Sequence, residues 1–344
     1  MTWIPLLLSD PSPCLRVLVL KELLNRSDDD IEVQELLELR EEDPLIKNLI
    51  KMQNPDGSWD ALIMTHIALG DKLQATIHIL NRFGYLGFNS TNTTVQKAAE
   101  FIFTKQQKDG AWPMPGKKQL KDEERGYSMM PIQTSIPLLA LASCGYSTDE
   151  RAEQAYEWLM EKRLNDGAWP VGIASGVYGG IAGYRRLAHS RWGCRSNTTV
   201  VLNCLALHPK RCKSKEAHRS LDLILGTNTK LRYNLGFVVA RLIGIEKSYG
   251  RITYFAKFDI AHVLDLCWRV GASPNDERIA EFIDFIKSEK GPYGLWEYLN
   301  HPQATRWLTF DLLRSLSKLK TNEDWISLEP LTPFKSYPKK IKRF

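Results

Sequence analysis

Nowhere in its 344 residues does this chain carry an apolar run approaching the roughly 20 residues that span a bilayer. Its longest, such as 136–142 and 237–240, stop far short, so no membrane-spanning helix is expected. The start, Met1-Thr2-Trp3 running on to Asp10, lacks the basic segment and small-residue cleavage site of a secretory leader, and a cytoplasmic location is the expectation. The six cysteines, Cys14, Cys144, Cys194, Cys204, Cys212 and Cys267, never fall into a C-x-x-C spacing. That pattern argues against a zinc ribbon or dithiol redox site and for free thiols. Sequons at Asn89, Asn92 and Asn197 would matter only in a secretory compartment, and nothing else in the chain speaks for one. Charge of one sign is also scarce: 46 basic against 40 acidic residues leave a formal +6, too little to expect nucleic-acid binding. Much of that excess sits in Lys335, Lys339, Lys340, Lys342 and Arg343, interleaved with Pro330, Pro333 and Pro338. The composition predicts a solvated basic tail over 326–344, capable at most of peripheral membrane contact, behind one domain over 1–325.

What is present is repetition. With 43% apolar and 25% charged residues the chain has the balance of a globular protein, and a glycine-containing turn ending in Trp recurs along it. The copies run Gln53-Asn54-Pro55-Asp56-Gly57-Ser58-Trp59, Gln106 to Gly110-Ala111-Trp112, Arg163 to Gly167-Ala168-Trp169, and Lys290 to Gly294-Leu295-Trp296. Two satisfy Q-x-x-x-G-x-W, and two put a basic residue where Gln stands. The Trp residues are 53, 57 and 127 positions apart, so the last gap has room for two units, one of them worn. Asp149-Glu150-Arg151 and Asp276-Glu277-Arg278 precede the third and fourth Trp at the same distance, which places the copies in phase.

Each unit reads as helix, turn, helix, turn. Apolar residues after Ile136 stop at Gly145, a left-handed helix terminator. Ser147, Thr148 and Asp149 offer caps for the next helix, whose face is Ala152, Ala155, Tyr156 and Leu159. Six segments, 11–24, 73–83, 131–144, 197–207, 258–270 and 303–319, are apolar nearly all round and read as inner helices. Segments 95–105, 149–161 and 275–288 are one-sided and read as their outer partners. The expectation is an all-α, α/α toroid of about six inner and six outer helices around a central cavity, its turn Trp residues serving as packing anchors.

The Q-x-x-x-G-x-W turns resemble those of squalene and terpene cyclases and, more weakly, of protein prenyltransferase β subunits, over about residues 10–320. The resemblance implies a toroid whose cavity holds an isoprenoid or another extended apolar molecule. It does not extend to the family's catalytic sets. No D-x-D-D occurs, and the nearest string, Ser27-Asp28-Asp29-Asp30, lacks the first Asp. Against the prenyltransferase zinc ligands, Asp259 is followed by Ala261 where Cys belongs, and Leu308 stands where His belongs. A second D-x-C, Asp265-Leu266-Cys267, would need His301 as a distant third ligand. No zinc and no other cofactor is expected.

Two stretches are rich in polar chemistry. The Gly-rich loop 171–195 ends in Tyr184, Arg185, Arg186, His189, Arg191 and Arg195, which with Arg306 and Trp307 form a candidate site for an anionic head such as an isoprenoid diphosphate. It is not a P-loop. Asp259 and His262 share one helix face, and with Asp311 they are candidate acid–base residues if that face lines the cavity. The duller alternative makes Asp259 a helix cap and His262 a core residue. The functional expectation is a toroid that binds, or also transforms, an apolar ligand. A non-catalytic lipid- or protein-binding ring and a carbohydrate-active (α/α)6 enzyme are the alternatives.

Overall fold

The computed structural model describes residues 3–61, 71–112, 130–170, 185–226, 233–246, 251–291, 293–299 and 301–319. Its helices are, in order, α1 (Trp3–Leu8), α2 (Pro13–Leu18, continued by a π turn, Val19–Leu23), α3 (Ile31–Leu39), α4 (Lys47–Lys51), α5 (Lys72–Tyr85), α6 (Thr93–Phe103), α7 (Pro131–Ser143) and α8 (Glu150–Glu161). There follow α9 (Arg195–Leu207), α10 (Lys215–Leu225), α11 (Phe237–Leu242), α12 (Arg251–Ala256), α13 (Ile260–Val270), α14 (Glu277–Ser288) and α15 (Thr305–Leu319). The described strands are β1 (Tyr233–Asn234) and β2 (Phe258–Asp259), paired in parallel with Tyr233 opposite Phe258.

The all-helical toroid read from the sequence is the architecture found. Around the inside, α5 packs on α7, α7 on α9, α9 on α13, α13 on α15, and α15 on the π turn after α2. The Leu18 side chain beside Gly87 and the Arg40 guanidinium donating to the Gly87 carbonyl (3.2 Å) bring that turn back to the end of α5. Outside, α3, α6, α8, α10 and α14 each pack on the preceding inner helix, and the short α1 lies against α2 and α15. The described residues thus hold six inner helices and five full outer partners; the tail proposed for 326–344 lies outside them.

Burial follows the division of labour. In α9 every residue but Leu207 is buried, whereas α8 buries Ala152, Ala155, Tyr156, Trp158 and Leu159 along one stripe. Each outer helix starts on a side-chain cap: Asp30, Asn92, Asp149, Ser214 and Asp276 all accept from backbone N–H groups of the first turn, each worth about 1 kcal/mol. The sequon residue Asn92 is one of these caps.

The four Trp turns are built alike. Each indole Nε1 donates to the carbonyl ten residues earlier: Trp59 to Leu49 (2.7 Å), Trp112 to Ile102 (2.9 Å), Trp169 to Leu159 (2.7 Å) and Trp296 to Ile286 (2.5 Å). Each Trp backbone N–H donates to a Thr hydroxyl in the first turns of the following inner helix, Thr76, Thr134, Thr198 or Thr309, at 2.9–3.3 Å. Gln53 and Gln106 bridge turn and next outer helix, donating to Gly57 and Thr94 and to Gly110 and Arg151. Where the sequence has Arg163 and Lys290, the cation lies over its own Trp ring at 5.9 and 5.2 Å, so a long basic side chain fills the same place. Gly57 and Gly110 cannot be replaced: both have positive φ (84° and 90°), and a Cβ would fall 2.1 Å from the Lys97 carbonyl oxygen and 2.5 Å from that of Gln154.

One excursion breaks the repeat. Between α10 and α13 the chain inserts β1, α11 and α12, and α11 touches α5 and α15 while α12 touches α9. Helices that reach three separate inner helices lie across the ring, not outside it. Arg82 of α5 secures the excursion by donating to the Leu242 carbonyl (3.0 Å).

Candidate functional site

The centre of the ring holds a half-open cavity of about 250 Å³ bordered by all six inner helices and by α11 and α12. Its apolar wall includes Leu18, Leu139, Leu207, Val239, Leu242 and Leu266, with the rings of Tyr85, Tyr254 and Phe255. The three acid–base candidates, Asp259, His262 and Asp311, all border it. Glu22, Asp265, Arg269 and Arg314 border it too, and sequence reasoning misses all four as parts of this site.

These polar groups form a linked cluster. Arg314, buried, donates to Asp311 at 2.9 Å and Asp265 at 3.1 Å and lies 3.6 Å from Glu22. Tyr85 donates its hydroxyl to the other oxygen of Asp311 (3.0 Å), and its ring meets Trp307 at 5.6 Å. Asp265 also accepts from Arg269 (2.7 Å) and the Trp268 indole (3.0 Å). Its carboxyl is held far below the ordinary range because the Arg269 and Arg314 charges outweigh burial. Asp311 goes the other way: burial pushes its carboxyl up to about 7, with Asp265 and Glu22 adding repulsion and Arg314 only partly offsetting. Of these two acids, Asp265 stays ionised while Asp311 can hold a proton near neutral pH.

Asp259 has the structural role the sequence left open as the alternative. It is buried, caps α13 by accepting from Ala261 N–H (3.0 Å), and accepts from Gly236 (3.2 Å) and Val238 (2.8 Å) in the excursion. Burial raises its carboxyl pKa against the pull of these N–H groups. It fastens α11 to α13. His262, one turn on, keeps intermediate exposure because it borders the cavity, and no hydrogen bond of its ring occurs among the described residues. Desolvation lowers its pKa below the usual imidazole value, which leaves the ring neutral at pH 7.

The described part of the basic loop, 185–195, does not border this cavity. Tyr184 lies outside the described residues; of the rest, none of Arg185, His189, Arg191 and Arg195 is in its wall. Arg195, a member of the candidate anion-binding set, is buried at the start of α9. The loop is tied back to its own Trp turn, with Ser190 donating to Asp166 (2.5 Å), and it pairs along Arg186–Cys194 and Pro170–Gly193. Residues 185–195, so anchored, follow the outer turn and do not join Asp259 and His262 at the cavity. Arg306 pairs with Asp10 at 3.3 Å, and with the buried Trp307 it borders a second hollow beside Pro11, Tyr298 and Leu299. The proposed anion-binding set is therefore split between places.

The alternative zinc set is separated as well. Asp265 is engaged by two arginines, the buried Cys267 thiol is pushed well up by desolvation, and His301 lies 3.5 Å from Glu246. Among the described residues no three His, Cys, Asp or Glu side chains are grouped to hold a metal ion, and no helix is long and apolar enough to cross a membrane. The four turn Trp residues are buried to 2% exposure or less, out of reach of a sugar.

Residues 31–180 match the squalene-hopene cyclase C-terminal domain family. Lanosterol synthase erg7A of Aspergillus fumigatus is 26% identical over 143 residues, 40% of this chain and 18% of that protein. Lanosterol synthase ERG7 of Saccharomyces cerevisiae is 27% identical over 140 residues, 39% of this chain and 18% of the relative. The chain thus matches less than a fifth of the length of these relatives. Among solved structures, a protein from Actinoplanes aligns over 91% of this chain and 92% of its own, at 14% identity and a TM-score of 0.44. The apo type II terpene cyclase MstE from Scytonema aligns over 80% and 96%, at 13% identity and a TM-score of 0.32. The family match and the lanosterol synthase relatives make this chain similar to terpenoid cyclases over less than half of its length, a stretch that holds three of the four Trp turns.

Proposed function

We propose that the chain binds an isoprenoid, or a comparably apolar molecule, in the central cavity, with the ligand's functionalised end against His262, Asp311 and Arg314. The observation that carries this reading is the half-open central cavity itself, apolar over most of its wall and with a linked polar cluster in it, the usual character of a small-molecule site. At about 250 Å³ it lies just under the roughly 300 Å³ lower end of such sites, which favours a short ligand or one end of a long one.

Any chemistry there falls to His262 and Asp311. A neutral imidazole can accept a proton, and a carboxyl near 7 can give or take one at physiological pH. Such a carboxyl suits proton exchange at an oxygen or nitrogen atom better than protonation of a carbon–carbon double bond, which calls for a stronger acid. Asp259 would act by position, holding α11 as the cavity's cover.

Calorimetric titration of the purified chain with farnesol tests the reading. Leu139→Trp, which places an indole into the cavity wall, should abolish binding while the far-UV spectrum and melting temperature stay close to wild type. Equal affinity in both proteins would place the ligand elsewhere.

A further inference from the structure

Carboxyl groups outnumber guanidinium groups on the cavity wall. Four carboxyl groups border it, Glu22, Asp259, Asp265 and Asp311, against the two guanidinium groups of Arg269 and Arg314. Neither arginine is available to an incoming anion. Arg269 is held by Asp265 at 2.7 Å and lies over the Trp268 ring at 4.4 Å, while Arg314 is shared among Asp311, Asp265 and Glu22. A phosphate or carboxylate would have to displace a carboxylate already in place and then sit among the rest, in a setting where like charges are poorly screened.

The second observation is His262. Its imidazole forms part of the wall and makes no hydrogen bond among the described residues, although it lies deep enough for desolvation to keep it neutral. A neutral imidazole offers one N–H and one lone pair, and beside the cavity both can be taken up by a molecule bound there. The rings of Tyr85 and Phe255 border the same space, while the Tyr254 ring beside them is already covered by the Arg241 guanidinium at 3.6 Å.

We propose that the head of the ligand is a neutral or positively charged hydrogen-bond donor, an alcohol or an amine, received by His262, and that phosphate and carboxylate heads are excluded. This deepens the cavity reading and rests on it. It replaces the anionic head that the basic loop suggested, because the described part of that loop does not border the cavity and both wall arginines are already held by carboxylates.

The test uses one tail with different ends: geraniol, geranylamine, geranyl diphosphate and the headless hydrocarbon myrcene, each titrated calorimetrically into the full chain near pH 8. Geraniol and geranylamine should bind, and geranyl diphosphate should bind at least about a hundredfold more weakly than geraniol. His262→Ala should reduce geraniol to the affinity of myrcene, and His262→Gln, which keeps an acceptor, should recover most of the difference. Melting curves establish that both variants are folded; if His262→Ala is not, the His262→Gln protein and the ligand series decide. Tightest binding by the diphosphate, or geraniol affinity unchanged in a folded His262→Ala protein, would overturn the inference and leave the cavity reading intact. Failure of all four ligands to bind would remove both.

Discussion

Replacing Asp311 by asparagine gives the sharpest test of the buried cluster, because its effect on stability should change with pH in a known direction. The Asp311 carboxyl faces Tyr85 from α5, Glu22 from the π turn after α2, Asp265 from α13 and Arg314 on its own helix. Its pKa is raised from 3.8 to about 7. A raised carboxyl pKa means that the folded state binds the proton more tightly than the unfolded chain does. Stability from this group is therefore present below the unfolded value and is lost as pH rises toward 7. The shift corresponds to about 4 kcal/mol at most, or about 1.4 kcal/mol per pH unit across that window. Asp265, held low, contributes stability that is lost only in stronger acid, well below this range. The introduced carboxamide cannot ionise, yet its oxygen can still accept from Tyr85 or Arg314. The stability of Asp311→Asn relative to wild type should therefore improve from pH 5 to pH 8, by about 2–4 kcal/mol. Urea unfolding followed by circular dichroism at several pH values measures this directly. A flat difference, or one that runs the other way, would mean that Arg314 keeps Asp311 ionised throughout, and the account of a carboxyl raised by burial would fail.

Thr198→Val, which leaves the Trp169 backbone N–H buried without its acceptor, should cost about 1–3 kcal/mol, as should Thr134→Val beneath Trp112; no loss in either would show that these ties add nothing. Arg195→Ala should lower the melting temperature, since the guanidinium is buried at the head of α9, and an unchanged melting curve would return it to the surface. Metal analysis of protein purified without chelators should find no stoichiometric zinc, because Asp265 is bound by Arg269 and Arg314; one zinc per chain would show that this cluster rearranges.

The parts of the fold that could be read from the sequence are those whose interactions are short-range and repeated. The Trp turn closes on a carbonyl ten residues back, its glycine has a positive φ that few other residues accept, and the helix caps act within three residues. Such features recur at fixed spacing, and the inner helices betray themselves by being apolar all round, as in 131–144 against the observed Pro131–Ser143. Asp311 was legible only as a polar residue on an apolar helix. Its setting was not, because Tyr85 is 226 positions away and the Arg314–Asp265 bond spans 49; no local pattern encodes either. The same holds for Asp259. Its spacing from His262 put both on one helix face, but the backbone N–H groups of Gly236 and Val238 that claim it belong to an excursion laid across the ring. The arginines of the loop before α9 were misleading for the same reason. Sequence records how many charges a segment carries, and long-range packing decides which of them are buried, which are paired and which face the cavity. Here that packing turned Arg195 inward and drew Glu22, Asp265, Asp311 and Arg314 to one wall, so the sign of charge that a ligand meets was set by tertiary structure alone.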